Sequence, residues 1–273
     1  MKNTPFIAVT SQPVPYHADT TAIFNTLCKQ NSNSLLLDSA EIGSKNSLQS
    51  LILINAAVKI TCLGNQVTFR ALNANGKQVL NEIHPVLSQL GTVSAVNFEN
   101  EFSVQFAPLD NQLDEDSKLQ AATIFDGLRV ISNHYQHSST PVFLGGLFAY
   151  DLVANFIPMQ GVELKDDGIN CPDYSFYLAE NLITIDHQSQ QATLKSFCFS
   201  QEEQVEVAKT ALSIAQKLRN IDGVLSIKVA SDEVNTNFED PEFIGIVKAL
   251  KHHINIGDVF QIVPSRRFSL ACP

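Results

Sequence analysis

The chain has no tryptophan, two methionines and little positive charge. It also lacks an apolar run long enough to cross a bilayer. Its most apolar stretches, 51–58 and 143–156, are interrupted by Asn55 and Asp151 and fall short of the roughly 20 residues a spanning helix needs. The opening MKNTPFIAVTSQPVPYH carries one lysine and only the apolar run 6–9, too brief for a signal-peptide core, so a cytoplasmic rather than secreted protein is expected. The five cysteines (Cys28, Cys62, Cys171, Cys198, Cys272) form no CxxC pair. An odd, scattered set suits reduced thiols better than a disulfide framework and offers no zinc site. With 18 Lys+Arg against 28 Asp+Glu, the net charge of -10 would repel a phosphate backbone, which excludes a general nucleic-acid binder. GxSxG, HExxH, GxxxxGK[ST] and GxGxxG are all missing, and with them the usual signatures of hydrolases, zinc proteases and nucleotide binders.

What is present is a chain built to bury a core. Hydrophobic residues make up 44% and charged residues 17%, below the usual quarter, and 273 residues suit one large mixed domain or two smaller ones. Residues 19–29 have helical spacing at Ala22, Ile23 and Leu27, with an acidic start and a basic end. LLLDS (35–39) reads as a strand. Residues 51–73 read as two strands meeting at Gly64-Asn65, a dipeptide suited to a tight hairpin. The spacing predicts one helix over 118–134, with Leu119, Ala122, Phe125 and Val130 near one face. A strand follows over 141–153, where Gly145-Gly146 marks a close backbone contact or a bend. Strands are expected again over 174–186 and 191–200.

Ser200 and Glu203 form a capping-box pattern ahead of a helix carrying Val205, Ala208, Leu212 and Ala215 as far as Leu218. Residues 221–237 read as a linker. A second well-signed helix then has Asp240 as N-cap, Pro241 in first position, apolar Phe243, Ile246, Val247, Leu250 and Ile254, and Gly257 as its stop. VFQIV (259–263) is expected to leave it as a strand. Without strict βα alternation or an internal repeat, the fold class is α+β, or mixed α/β, with a domain boundary at 236/237.

Candidate chemistry is sparse. His252 and His253 are helix neighbours that point in different directions and read as surface residues rather than a metal pair. Asp114, Glu115 and Asp116, like Glu202 and Glu203, read as favourable charges near a helix start. Arg266-Arg267 is the one close cationic pair. One guanidinium could meet a carboxylate ligand, and strand alternation lets at most one of the two face a given pocket.

Several segments, in order, resemble the anthranilate synthase component I family: LLLDSAEIGSK (35–45), SLILINAAVKITCLGNQVTF (50–69), IFDGLR (124–129), GGLFAYDLV (145–153), CPDYSFYLAENLITIDHQ (171–188) and GDVFQIVPSRRFSL (257–270). The resemblance covers most of the chain. Aminodeoxychorismate synthase shares strings like GDVFQIVPSRRF, and LLLDSAEIGSK favours the anthranilate branch. The resemblance implies an antiparallel sheet with helices over 1–236, forming a tryptophan-binding regulatory domain, and the start of a chorismate-binding catalytic domain over 237–273.

It further implies a lyase that makes anthranilate and pyruvate from chorismate and ammonia with Mg2+. Ammonia comes from a glutamine amidotransferase subunit (component II), and L-tryptophan inhibits. The LLLDS segment belongs to the family's allosteric tryptophan pocket, which points to Ser39, with Asp38 and Leu37 beside it and Lys45 at its rim. From the residues alone, Ser39 would instead cap a turn at a strand end. A hydroxyl both donates and accepts, which suits the ammonium and carboxylate of an amino acid, and the leucines suit an indole. The family's catalytic and magnesium-binding residues lie beyond Pro273, so no catalytic or metal residue is assigned and the chain is expected to be truncated and inactive alone. The competing expectations are a non-catalytic tryptophan-binding or subunit-docking module and the aminodeoxychorismate synthase branch.

Overall fold

In the computed structural model, which describes residues 5–29, 31–38, 48–97, 100–108, 114–138, 140–157, 171–221 and 234–270, the chain divides into two units, Met1–Gly223 and Val224–Pro273. The first contains β1 (Ala8–Val14), α1 (Thr20–Cys28), β2 (Leu35–Asp38), β3 (Gln49–Leu63), β4 (Gln66–Ala71), α2 (Ala74–Leu87), β5 (Thr92–Asn97) and β6 (Glu101–Gln105). It continues with α3 (Glu115–Gln120), α4 (Asp126–His134), β7 (Leu144–Phe148), a 3-10 helix (Tyr150–Asn155), β8 (Tyr174–Asp186), β9 (Gln191–Cys198) and α5 (Gln204–Leu218). The second contains β10 (Asn235–Thr236), α6 (Asp240–Asn255) and β11 (Phe268–Ser269). The fold is therefore α+β, with an antiparallel sheet and helices as expected.

Two long strands organise the first unit. The strand order is β1-β9-β8-β3-β4-β6-β5, with β2 also beside β3 and β7 also beside β8. The β3/β8 register slips around Asn55. Such bulges strand backbone groups and sharpen the twist. Amide side chains fill the gap: Asn31 Nδ2 donates to the Ile54 carbonyl at 2.7 Å, Asn55 Nδ2 to Asn181 Oδ1 at 3.1 Å, and Asn181 Nδ2 to Ser196 Oγ at 2.8 Å. Across this point each strand changes its outer neighbour. Before it β3 pairs β2, and after it β4. β8 pairs β7 over 174–178 and β9 over 181–186.

Two cores result. The larger gathers Ile60 and Cys62 of β3, Phe69 of β4, Phe102 of β6, Tyr174 of β8 and the inner faces of α2 and α4. The smaller sets Ile52, Ile54, Ile183, Ile185 and Leu194 against Ile23 of α1 and Ala211, Ile214 and Leu218 of α5. β3 accordingly reads as a continuous buried run that gives way to alternation, with Lys59, Thr61 and Leu63 outward. At the hairpin, Leu63 faces Gln66 across Gly64-Asn65, and Gly64 has a φ of +57°, which favours glycine. Gly146 of β7 sits where a Cβ would overlap the Ser175 and Phe176 backbone of β8, so the glycine pair does mark a close approach.

Elsewhere the structure corrects the sequence reading. The single helix over 118–134 is two, α3 and α4. Ala121 is extended, the Asp126 carboxylate accepts from the Thr123 amide at 2.6 Å, and the turn between them delivers Ile124 to the core, while Leu119 is exposed. The strand over 141–153 ends at Phe148 and passes into the 3-10 helix. α5 starts at Gln204 with no side-chain cap. Ser200 Oγ instead accepts from the Glu202 amide, so the capping box does not form. Its buried face is Val207, Ala211, Ile214 and Leu218, leaving Val205 and Leu212 exposed. In α6 the N-cap is Glu239, one residue before Asp240. Gly257 has a φ of +84° at its end, as a stop requires. VFQIV is not a strand among the described residues, where β10 pairs β11 and residues 259–263 have no ladder partner.

β1, α2, β5 and β6 have no counterpart among the elements expected from the sequence. The NANGKQ run (73–78) looks like a turn, yet Asn73 Oδ1 caps α2 by accepting from the Gly76 amide at 2.8 Å, and Gly76 lets the helix lie against the Ala57 backbone.

Candidate functional site

β2 ends beside an open pocket of about 450 Å³, lined by Leu36, Leu37, Asp38, Gln49 and Leu51. The antiparallel register sets Leu37 against Leu51 and Asp38 against Ser50, so the carboxylate shares a sheet face with the Ser50 hydroxyl. Asp38 is exposed, whereas Ser50 is fully buried. Ser50 Oγ donates to Asp38 Oδ1, and Thr20 Oγ1, at the start of α1, donates to Asp38 Oδ2 at 3.2 Å. Behind Ser50, His187 Nε2 lies 2.8 Å from its Oγ, and Tyr16 Oη lies 3.2 Å from His187 Nδ1. Among the described residues the pocket thus offers leucine walls, one amide and one carboxylate held on both oxygens. Of the residues singled out from the sequence, Leu37 and Asp38 line it; Ser39 and Lys45 lie outside the described residues. Gln49, Ser50 and His187 were not singled out, because nothing local in the sequence ties them to LLLDS.

A second cavity, of about 210 Å³, opens at the β3/β8 bulge between Asn31, Asn33, Asn55, Asn73, Glu180 and Thr210. Glu180 is buried, and its Oε2 accepts from Asn73 and Asn75 at 2.8 Å each. Burial raises its carboxyl above the usual range, and those two amides oppose the rise only in part. On α2, Glu82 Oε2 accepts from Tyr135 Oη and pairs with His134 Nε2, both at 2.9 Å, tying α4 to α2. Burial and the adjacent Glu82 push the Tyr135 phenol up, so it stays a donor. Cys28, Cys62, Cys171 and Cys198 are all free thiols. Burial, with Asp173 nearby, pushes Cys62 up to about 12, which makes it an inert core residue rather than a nucleophile. Cys272 lies outside the described residues.

The remaining charged candidates are structural. Asp114 caps α3 through the Ser117 amide at 2.7 Å, which holds its carboxyl below the usual range. His253 pairs with Asp258 at 2.8 Å. Arg266 bonds Asp240 at 2.5 Å and lies over the Phe243 and Phe268 rings, while the Arg267 amide donates to Asn237 Oδ1. Among the described residues no three His, Cys, Asp or Glu side chains converge to hold a metal, and no helix is long and apolar enough to cross a membrane.

Residues 80–273 match the family described as chorismate binding enzyme. The chain belongs to that family. It is 86% identical over 268 residues to anthranilate synthase component 1 of Haemophilus influenzae, covering 98% of this chain and 52% of that protein. It is 42% identical to the Vibrio cholerae protein of the same name, across 100% of this chain and 52% of that one, and 37% identical to the Escherichia coli one, across 94% and 50%. The resemblance to anthranilate synthase component I thus holds along the chain, which spans about half the length of the curated relatives it matches. Among solved structures, anthranilate synthase component I from Streptococcus pneumoniae aligns over 93% of this chain and 48% of its own, at 16% identity and a TM-score of 0.47.

Proposed function

We propose that the protein is the chorismate-using component of anthranilate synthase. It would convert chorismate and ammonia to anthranilate, pyruvate and water in the first committed step of L-tryptophan biosynthesis. Ammonia would come from a component II glutamine amidotransferase, and L-tryptophan would inhibit through the pocket at the end of β2. Residues 1–236 are read as the regulatory domain and 237–273 as the start of the catalytic domain; the family match begins inside α2 and runs across both. The described residues offer no three-ligand cluster for Mg2+, and none of them is assigned as its ligand.

The observation that carries the regulatory reading is a carboxylate set in a leucine-walled pocket, on the segment that resembles the family's tryptophan site. Asp38 would accept the ammonium, and Leu36, Leu37 and Leu51 would pack the indole, in a volume ordinary for a small-molecule site. If tryptophan and chorismate favour different states, each must weaken the other's binding.

Titration of the folded chain with L-tryptophan tests this. The chain has no tryptophan of its own, so ligand fluorescence reports directly. Saturable binding, weakened by Asp38→Asn, is expected; a folded chain that binds none would overturn the regulatory reading. Anthranilate formation by this chain alone would contradict the expectation that catalysis needs residues beyond it.

The same pocket supports a second reading, in which the chain is itself a tryptophan-binding or subunit-docking module. In its favour, among the described residues the pocket is built from β2 and β3, within the first unit. For the aminodeoxychorismate branch, product identity in the parent enzyme decides.

A further inference from the structure

We infer that Tyr16, His187, Ser50 and Thr20 form a positioning relay that fixes Asp38 as an acceptor for a primary ammonium and makes the pocket selective for cationic amines. This rests on the proposed reading of the pocket as a tryptophan site. The wiring follows from counting protons. A carboxylate only accepts, so the single Ser50 hydroxyl proton goes to Asp38 Oδ1. Ser50 Oγ can then only accept from His187, which requires the proton on Nε2. The inferred wiring leaves that as the ring's one proton, so that Nδ1 accepts from the Tyr16 hydroxyl. Every donor points towards Asp38.

The four residues come from separate places in the fold: the segment before α1, the first turn of α1, β3, and the turn after β8. Their convergence therefore holds several elements in fixed relation. Satisfying Asp38 does not require this, since an exposed carboxylate can be hydrated. Placing a hydroxyl at fully buried Ser50 has a desolvation cost that only its hydrogen bonds offset. What the arrangement adds is aim. Each Asp38 oxygen receives one hydroxyl proton, and each keeps a lone-pair direction for a ligand. Both donors are neutral, so the carboxylate is oriented while its charge remains available to a cation.

Three ligands and two kinds of readout test the inference on the folded chain. L-Tryptophan and tryptamine carry the ammonium; indole-3-propionate carries the ring and a carboxylate without it. Ser50→Ala is expected to weaken tryptophan and tryptamine about tenfold and to leave indole-3-propionate unchanged, with Ser50→Thr restoring affinity and Tyr16→Phe giving a smaller loss of the same pattern. Independently, nitrogen chemical shifts should report His187 as the Nε2–H tautomer. Equal loss for all three ligands would make the network merely structural and overturn the inference, as would an Nδ1–H tautomer. If the folded wild-type chain binds none of the three, the tryptophan reading fails and the amine selectivity with it, while the tautomer still decides the wiring.

Discussion

β3 serves two different interiors. Past the bulge at Asn55 it contributes to a core rich in rings, where Phe69 and Phe102 stack at 5.2 Å and Tyr135, Tyr174 and Phe199 are buried beneath α2 and α4. Before the bulge Ile52 and Ile54 contribute to an aliphatic core, with no aromatic among its buried described residues, beside the pocket where Asp38 sits on its hydroxyl donors, while Leu53 between them belongs to the ring-rich core. The comparison teaches a division of labour between the two faces of one strand. The ring-rich core gathers the buried aromatic side chains, and the aliphatic core lies beside the end of the sheet where the pocket opens.

That division can be broken or sharpened from the largest effect downward. Phe69→Ala removes half of a buried stacked pair and should cost about 3–5 kcal/mol in urea unfolding, with affinity for tryptophan per folded molecule unchanged. A loss of affinity in the folded fraction would mean that the two cores are coupled. Asn181→Ala, at the junction, strands Asn55 Nδ2 and Ser196 Oγ and should cost about 1–3 kcal/mol by the same measurement. An effect near zero would show that the bulge does not need its amide network.

Glu180→Gln acts through pH. The folded state raises this carboxyl, so its stabilising contribution is fully present below its ordinary value of 4.5 and is lost as pH rises through the folded value. Thermal midpoints across that range should therefore move in favour of the Gln variant as pH increases, and a pH-independent difference would refute the desolvation argument. Asp38→Asn should change stability least, within about 1 kcal/mol, because the side chain is exposed and the amide oxygen can still accept from Ser50, while weakening amine ligands. A large stability loss would make Asp38 a structural residue instead.

The sequence revealed what local patterns encode. β8 is bounded at Tyr174 and Asp186 where alternation placed it, and the Gly64-Asn65 hairpin is in register. It misled where two apolar stripes compete. α5 carries Val205, Ala208 and Leu212 on one side and Val207, Ala211 and Ile214 on the other, and only packing on β9 and α1 chooses between them. α2 was hidden because its cap and its close-approach glycine, Asn73 and Gly76, are also turn residues. At the site, Leu37 and Asp38 were legible through a resemblance. The partners of Asp38 were not, because Ser50 reaches it by strand register and His187 lies 137 residues further along the chain from Ser50.

The most direct measurement is amide hydrogen exchange of the folded chain with and without L-tryptophan. Protection should rise in β2, the first half of β3, the start of α1 and the turn after β8, and stay unchanged in β4, β6 and α2. Protection spread evenly over all these elements, or confined to β4, β6 and α2, would contradict the account.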